Sequence, residues 1–294
     1  MALDKRHKMV PAPRRKGIRF PDVAPRAPTI FRWPTEFRAW TTLVAMADLS
    51  VLAHEIATLE AHRAALVSEA LGKYALVYSD EVVAIHDTER EAIADGRGRL
   101  GYVPILVERI TAEGETNPPT NTVSASDQQG ERVMEPISWG APHGALHHFG
   151  PVAMVTIGVT EVDSEAITRS GTAVPDPIRG GALIDTGATF SHFDEEIIAE
   201  LDLQPVGRLD VAGFDAIHTK LRYEAKLVFE DGMPLEILAS AAQLRRPRES
   251  PIPGYDALIG RDILASAILT YDGIHERVAL HFRPPSSAMG ESGG

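Results

Sequence analysis

None of the 294 residues is a cysteine. That excludes a disulfide framework, a thiol nucleophile and a thiolate metal site, and it favours a reducing compartment. Long apolar runs are missing as well. The longest uncharged stretch, from Pro136 to Thr160, is interrupted by Pro136, Pro142, Pro151 and three histidines, so no transmembrane helix is expected. The first residues have no apolar core of the kind a secretory signal needs, and the expected location is cytoplasmic. Also lacking is any repeat of the Asp-Thr-Gly triplet at Asp185. The nearest approach to a second triplet, Asp163-Ser164, continues into Glu165.

What is present is acid, unevenly spread. The net charge is −12, yet residues 1–34 hold nine Lys/Arg against only Asp4 and Asp22, which leaves 20 basic and 39 acidic residues for the rest. A body this acidic argues against a nucleic-acid groove. The length suits about two domains, and the hydrophobic content of 44% is that of an ordinary globular chain with a proper core.

Residues 1–36, rich in Pro, Arg and Lys without periodicity, read as a disordered basic arm. Phe37, Trp40, Val44, Leu52, Ile56, Leu59 and Leu66 recur at three- and four-residue steps, which predicts a helix from about Thr35 to Ala70. Its His54-Glu55 pair invites a zinc-protease motif, but the second histidine would have to stand where Thr58 is. From Lys73 the period shortens. Tyr74–Tyr78 and Val82–Ile85, joined by Ser79-Asp80, predict a hairpin. Thr88 with Glu91 predicts a capping box opening a short helix that ends near Gly96. Pro104–Val107 then predicts a third strand, completing a small α+β module over 37–110. The run Gly96-Arg97-Gly98-Arg99-Leu100-Gly101 matches a dinucleotide fingerprint by letter. It has a helix before it and a strand after, the reverse of the order that brings pyrophosphate to a helix N-terminus. No cofactor is expected.

Residues 111–148 are rich in Pro, Gly, Ser, Thr and Asn and read as a flexible linker. His143, His147 and His148 crowd its end without a carboxylate at ligand spacing, so polar linker is preferred to metal site. Beyond Pro151 the chain reads as β. Met154–Val159 alternates as a half-buried strand, 161–180 reads as a polar loop, and Phe193–Leu201 as a short acidic helix. In the next strand Leu221, Tyr223, Ala225, Leu227 and Phe229 alternate with charged or exposed residues. A last hairpin spans Ile268–Phe282 around Asp272-Gly273. Residues 285–294 are left as a tail.

Two stretches stand out. In Gly180-Gly181-Ala182-Leu183-Ile184-Asp185-Thr186-Gly187-Ala188-Thr189, small and apolar residues run straight into a carboxylate, with a glycine that permits a tight reversal. About seventy residues on, Tyr255-Asp256-Ala257-Leu258-Ile259-Gly260-Arg261-Asp262-Ile263-Leu264 supplies an apolar pair, a glycine and a helix start. A carboxylate ending a buried strand is held partly desolvated, a setting that gives an acid chemistry to do.

Together these stretches resemble the retropepsin-like aspartic proteases, over roughly 149–284. The resemblance implies a mainly β acid-protease half-barrel domain, with the N-terminal α+β module beside it. It implies Asp185 as catalytic, and Thr186, Gly187 and Ala188 as support for a dyad and for substrate backbone. Leu258, Ile259, Gly260 and Arg261 would form the element under the site. By position, Ala212, Gly213 and Phe214 resemble the flap. Thr189 stands where viral members usually place an acid paired to the arginine, so Arg261 either finds another carboxylate, such as Asp194, or braces a dimer less tightly.

With one triplet in the chain, a second Asp185 has to come from a twofold-related subunit, and the implied partner is a second copy. The implied activity is an aspartic endopeptidase acting on peptide or protein, with water activated by two carboxylates sharing one proton. No metal, nucleic acid or membrane enters this reading. Its rivals are an inactive module of the same fold that dimerises or binds peptide, and an interaction protein led by the N-terminal arm and helix.

Overall fold

The computed structural model describes residues 49–112, 137–141, 144–212, 217–230, 234–245 and 254–282. The basic arm 1–36, the first part of the expected long helix, the tail 285–294, His143, Gly213 and Phe214 lie outside the described residues.

The α+β module forms as the sequence pattern requires, with shifted ends. A 3-10 turn at Leu49–Leu52 leads into α1 (Ala53–Ala70). Strands β1 (Tyr74–Tyr78) and β2 (Glu81–His86) form the hairpin, and β1 also pairs antiparallel with β3 (Leu106–Arg109). The central strand is covered on both faces, which is why its first four residues are all buried. Ala75 and Val77 meet Leu52, Leu59 and Leu66 of the α1 side. Tyr74 and Leu76 meet Ala92 and Ile93 of α2 (Glu89–Leu100). Thr88 and Glu91 make the reciprocal capping box. Two residues of the zinc-like stretch are put to structural use: Glu55 accepts from the Ser79 N–H (2.9 Å), and Thr58 donates to the Ser79 carbonyl (3.0 Å).

Helix α2 does not stop near Gly96 but runs to Leu100, ending at Gly101 in a left-handed conformation (φ 85°). Gly96 is a packing residue. A Cβ there would sit 2.8 Å from Ile105 Cδ1, so glycine lets the helix lie close on the sheet. The fingerprint-like run is therefore helical from Gly96 to Leu100, with Arg97 buried inside it, and offers no phosphate loop.

The C-terminal half is mainly β. Strands β5 (Val152–Gly158), β6 (Ile178–Ile184), β7 (His192–Asp194), β8 (Pro205–Ala212), β9 (Ile217–Phe229), β10 (Pro234–Ala242) and β11 (Ala257–Ile259) form one sheet in the order β10-β7-β11-β6-β5-β9-β8. Strand β9 also pairs with β10, so the sheet closes on itself, with β8 as an added strand. Inward residues such as Val155, Ile157, Ala182, Ile184, Phe193, Leu227, Phe229 and Ile259 fill the interior. Each large apolar side chain fully buried there contributes roughly 1.5–3 kcal/mol. A three-stranded sheet, β12 (Ala267–Asp272), β13 (Arg277–Phe282) and β4 (Ile137–Gly140), closes one side through Ile137, Leu280 and Phe282.

Two stretches expected without regular structure carry some. The segment 111–148 contains β4 and the start of α3 (Ala145–Phe149), where His147 and His148 lie. The loop expected over 161–180 opens with α4 (Glu161–Arg169), capped by Thr160 accepting from the Asp163 N–H (3.2 Å). Its apolar periodicity is broken because one buried position is Asp163.

The described residues all belong to one compact unit. Leu221 belongs to the α1-side cluster, and Val206 to the α2-side cluster, so the module shares its cores with β8 and β9. The Ile105 N–H donates to the Pro205 carbonyl (3.1 Å), and Gly207 lets β8 approach β3 closely. Buried charge joins the halves too. Arg97 donates Nε to Asp163 Oδ1 (2.6 Å), and both side chains are 2% exposed or less.

Removing one member of such a pair strands the other in a poor dielectric. We expect Asp163→Ala to cost about 3–5 kcal/mol, and the double change Arg97→Met, Asp163→Leu to cost clearly less. Urea denaturation of both variants tests this. A single variant no worse than the double would show that Arg97 is not left uncompensated.

Candidate active site

Strand β6 ends at Ile184, and Asp185 begins the turn that follows. Strand β11 runs parallel to β6 with Ala257 opposite Ala182, Leu258 opposite Leu183 and Ile259 opposite Ile184. The Asp185 N–H then donates to the Ile259 carbonyl (2.9 Å). Leu258 and Ile259 of the expected element therefore lie directly beside the strand that delivers the carboxylate. Two glycines before it serve that approach. The Gly181 N–H donates to Asp256 Oδ2 (2.7 Å), while a Cβ on Gly180 would fall 2.2 Å from the same oxygen.

Asp185 is half-buried, and its Oδ1 accepts from the Gly187 N–H (2.7 Å). Thr186 and Gly187 are exposed and Ala188 is half-buried, so the turn presents the carboxylate rather than enclosing it. Among the described residues no other carboxylate hydrogen-bonds Asp185.

The turn is held by α6 (Arg261–Leu264). The Arg261 N–H donates to the Ala188 carbonyl (3.0 Å) and the Asp262 N–H to the Thr189 carbonyl (3.1 Å). The Arg261 guanidinium donates to the Thr186 carbonyl (3.2 Å) and to Thr189 Oγ1 (2.8 Å). Thr189 thus meets the arginine as a neutral acceptor. Asp194 is not Arg261's partner. It caps α5 (Glu195–Glu200) through the Glu196 N–H, and accepts from the Leu244 and Arg245 N–H groups at 2.7 Å each. Gly260 must lack a side chain, because a Cβ there would lie 2.5 Å from the Phe190 carbonyl oxygen.

Four residues of this site escaped the sequence reading. Ser191, wholly buried, accepts from the Gly260 N–H (3.0 Å) and donates its hydroxyl to Asp262 Oδ1 (2.8 Å), while its N–H donates to Asp262 Oδ2 (2.8 Å). This hub ties the far end of the turn to α6. Beside it, His192 Nδ1 meets Ser240 Oγ at 2.7 Å, and Lys220 Nζ donates to the Ala241 carbonyl (3.0 Å). Burial, and then the charge of Lys220, hold the His192 imidazole down at about 4, with Ser240 and the field of Asp185 pulling the other way. Burial lowers Lys220 as well. Asp262 follows Arg261 directly and was a legible signal; Lys220 stands just before the alternation that begins at Leu221.

Ala212 ends β8, and Gly213 and Phe214 of the expected flap lie outside the described residues. Groups of three or more His, Cys, Asp or Glu side chains placed to hold a metal ion do not occur among the described residues. No helix among them is long and apolar enough to cross a membrane.

No family model matches the chain, and neither does any curated protein. Solved structures do. One is a retropepsin-like aspartic protease from Rickettsia conorii, at 12% identity and a TM-score of 0.29, covering 50% of this chain and 91% of that one. Another is the retroviral protease-like domain of Ddi1 from Leishmania major, at 13% identity and a TM-score of 0.24, covering 47% and 97%. A third is a foamy viral protease-reverse transcriptase, at 13% identity and a TM-score of 0.22, covering 39% and 12%. These neighbours carry retropepsin-like protease domains.

Ser191→Ala removes a donor to Asp262 and the acceptor of the Gly260 N–H, leaving buried polar groups unmatched. We expect it to cost about 1–3 kcal/mol, read from chemical denaturation. Unchanged stability would show that the hub does not hold the turn.

Proposed function

We propose that this chain is an aspartic endopeptidase whose active site forms when two copies bring their Asp185 side chains together. The observation that carries this reading is the presentation of Asp185. It ends a buried strand, stands half-buried on a turn anchored at both ends, and has one oxygen fixed by the Gly187 N–H. A carboxylate so held is oriented before substrate arrives, and its exposed side is left for a symmetry-related partner.

Two carboxylates about 3 Å apart share one proton. The ionised member takes a proton from water as the water oxygen bonds to the peptide carbonyl carbon. The protonated member gives its proton to the carbonyl oxygen, and a tetrahedral diol results. The C–N bond then breaks as the amide nitrogen gains a proton and the second hydroxyl loses one, releasing acid and amine and restoring the singly protonated pair. The two apparent pKa values belong to the pair. In this scheme Thr186 braces the two turns across the twofold axis, Gly187 and Ala188 meet substrate backbone, and Ala212, Gly213 and Phe214 cover it. Leu258, Ile259, Gly260 and Arg261 hold the turn from below.

Asp185→Asn is expected to abolish cleavage of a mixed peptide library between acid and neutral pH while leaving the circular dichroism and the sedimentation of wild type. Equal turnover by the two proteins would remove the assignment. Peptide binding by wild type without turnover at any pH would instead favour the inactive-module reading.

Because each chain supplies half of the dyad, specific activity should fall on dilution through the dimer dissociation range. Full activity in a protein shown by light scattering to be monomeric at the assay concentration would contradict the shared site.

A further inference from the structure

The core of the closed sheet takes every second residue of its strands, and the residues between them form a second face. One row across that face is set by the ladder. Leu183 of β6 stands opposite Leu258 of β11, Leu258 opposite His192 of β7, His192 opposite Ser240 of β10, and Ser240 opposite Arg222 of β9. The chain neighbours Ala182, Ile184, Ala257, Ile259, Phe193 and Ala239 are buried in the core, so the row lies outside it. Asp185 follows Leu183 by two residues and belongs to the same face. The row therefore leads from the candidate catalytic carboxylate across the sheet to β9.

Its character changes on the way. Leu183 and Leu258 are apolar and half-buried, the ordinary lining of a peptide cleft. His192 and Ser240 are polar and bonded to each other (2.7 Å). Arg222, at the far end, is matched by Glu89 (2.6 Å). Lys220, two residues before Arg222 on the same strand, is not matched in this way. It is buried, and its Nζ donates to the carbonyl of Ala241, the residue after Ser240 (3.0 Å). Among the described residues Glu195 acts on it through its field alone, and no carboxylate forms an ion pair with it. Lys220 also stands opposite Leu209 in the stem of the β8–β9 hairpin, whose tip carries the expected flap. His192, on the strand between, feels the charges of both Lys220 and Asp185.

We propose that Lys220, with His192 beside it, forms a basic subsite that selects substrates carrying a carboxylate side chain roughly two to four residues from the bond to be cut. The inference rests on the reading of Asp185 as half of a catalytic dyad. The span follows from strand spacing. His192 lies two strands from β6, about 10 Å at the usual separation, and the Ala241 carbonyl that holds Lys220 lies one strand further. An extended peptide advances about 3.3 Å per residue, which covers that distance within a few residues. An ammonium has three donors, and one carbonyl leaves donors to spare. A substrate carboxylate placed there makes a charge-assisted hydrogen bond and brings the counter-charge that Lys220 lacks in contact. A neutral amide of the same shape gives the hydrogen bond without the charge. A cationic side chain adds like charge where burial already disfavours the one present.

The experiment uses the full chain and its Asp185→Asn variant, with matched peptides that carry Glu or Gln at successive positions on either side of a central apolar pair. At one position in the proposed span, wild type should cut the Glu peptide with a kcat/KM about ten- to hundredfold above that of the Gln peptide. Asp185→Asn, which binds without cutting, should show the same ratio in Kd. Lys220→Met should bring both ratios close to one, while Lys220→Arg should keep them well above one. A binding ratio that survives while wild type cuts nothing removes the endopeptidase reading and leaves the subsite standing. Equal values for Glu and Gln at every position, binding of neither peptide, or a ratio unchanged in Lys220→Met overturns the subsite. If Lys220→Met does not fold, the Lys220 ζ-nitrogen is followed by NMR in Asp185→Asn labelled at lysine, its signal assigned with Lys220→Arg. A shift with the Glu peptide and none with the Gln peptide supports the proposal, and the same response to both overturns it.

Discussion

The parallel pairing of β6 with β11 is the contact on which the candidate site depends. It joins segments about seventy residues apart, so the chain between them must fold back before the pairing can form. Once formed, it sets three things together. Ile259 receives the Asp185 N–H, Gly260 brings α6 under the turn, and Arg261 and Asp262 hold the backbone of residues 186–191. The glycines at 180 and 260 are the steric condition for this approach, because a Cβ at each would fall inside van der Waals contact with Asp256 and with the Phe190 carbonyl. The carboxylate is positioned mostly by backbone hydrogen bonds, and these have less freedom to wander than long side chains.

The closed sheet is not self-sufficient in this protein. Strand β9 is contacted on both faces at Leu221–Tyr223: Leu221 lies in the apolar cluster built around α1, and Arg222 is paired to Glu89 of α2. The module is therefore packed as part of the same unit. The junction combines two kinds of contact with different consequences. Apolar clusters give association without much dependence on conditions, whereas buried ion pairs are costly to desolvate and worth keeping only when matched.

Local pattern and local chemistry carried a good part of this structure in the sequence alone. The hairpin of β1 and β2, the Thr88–Glu91 capping box, the acidic helix after Asp194 and the last hairpin were legible because each is specified by residues a few positions apart. So were Asp185 and the Leu258–Arg261 element, since strand residues, a tight turn and a helix start each leave a short signature. The mainly β character of the C-terminal half followed from alternation.

Tertiary structure decided the rest, wherever a residue's role depends on what arrives from far along the chain. Gly96 looked like a helix end and is a contact point for β3; the difference lies in Ile105, which no local pattern brings to it. Arg222 looked like a solvated position of β9, because alternation reports that two faces differ but not what covers the second. Asp163 hid a helix by placing a charge at a buried position, and only its match with Arg97, 66 residues earlier, makes that position tolerable. The sequence determined which residues could form strands, turns and caps, through interactions that span a few bonds. Which charges would be buried, and which carboxylate would stand half-exposed at the end of its strand, depended on desolvation by distant segments and was settled only when the sheet closed.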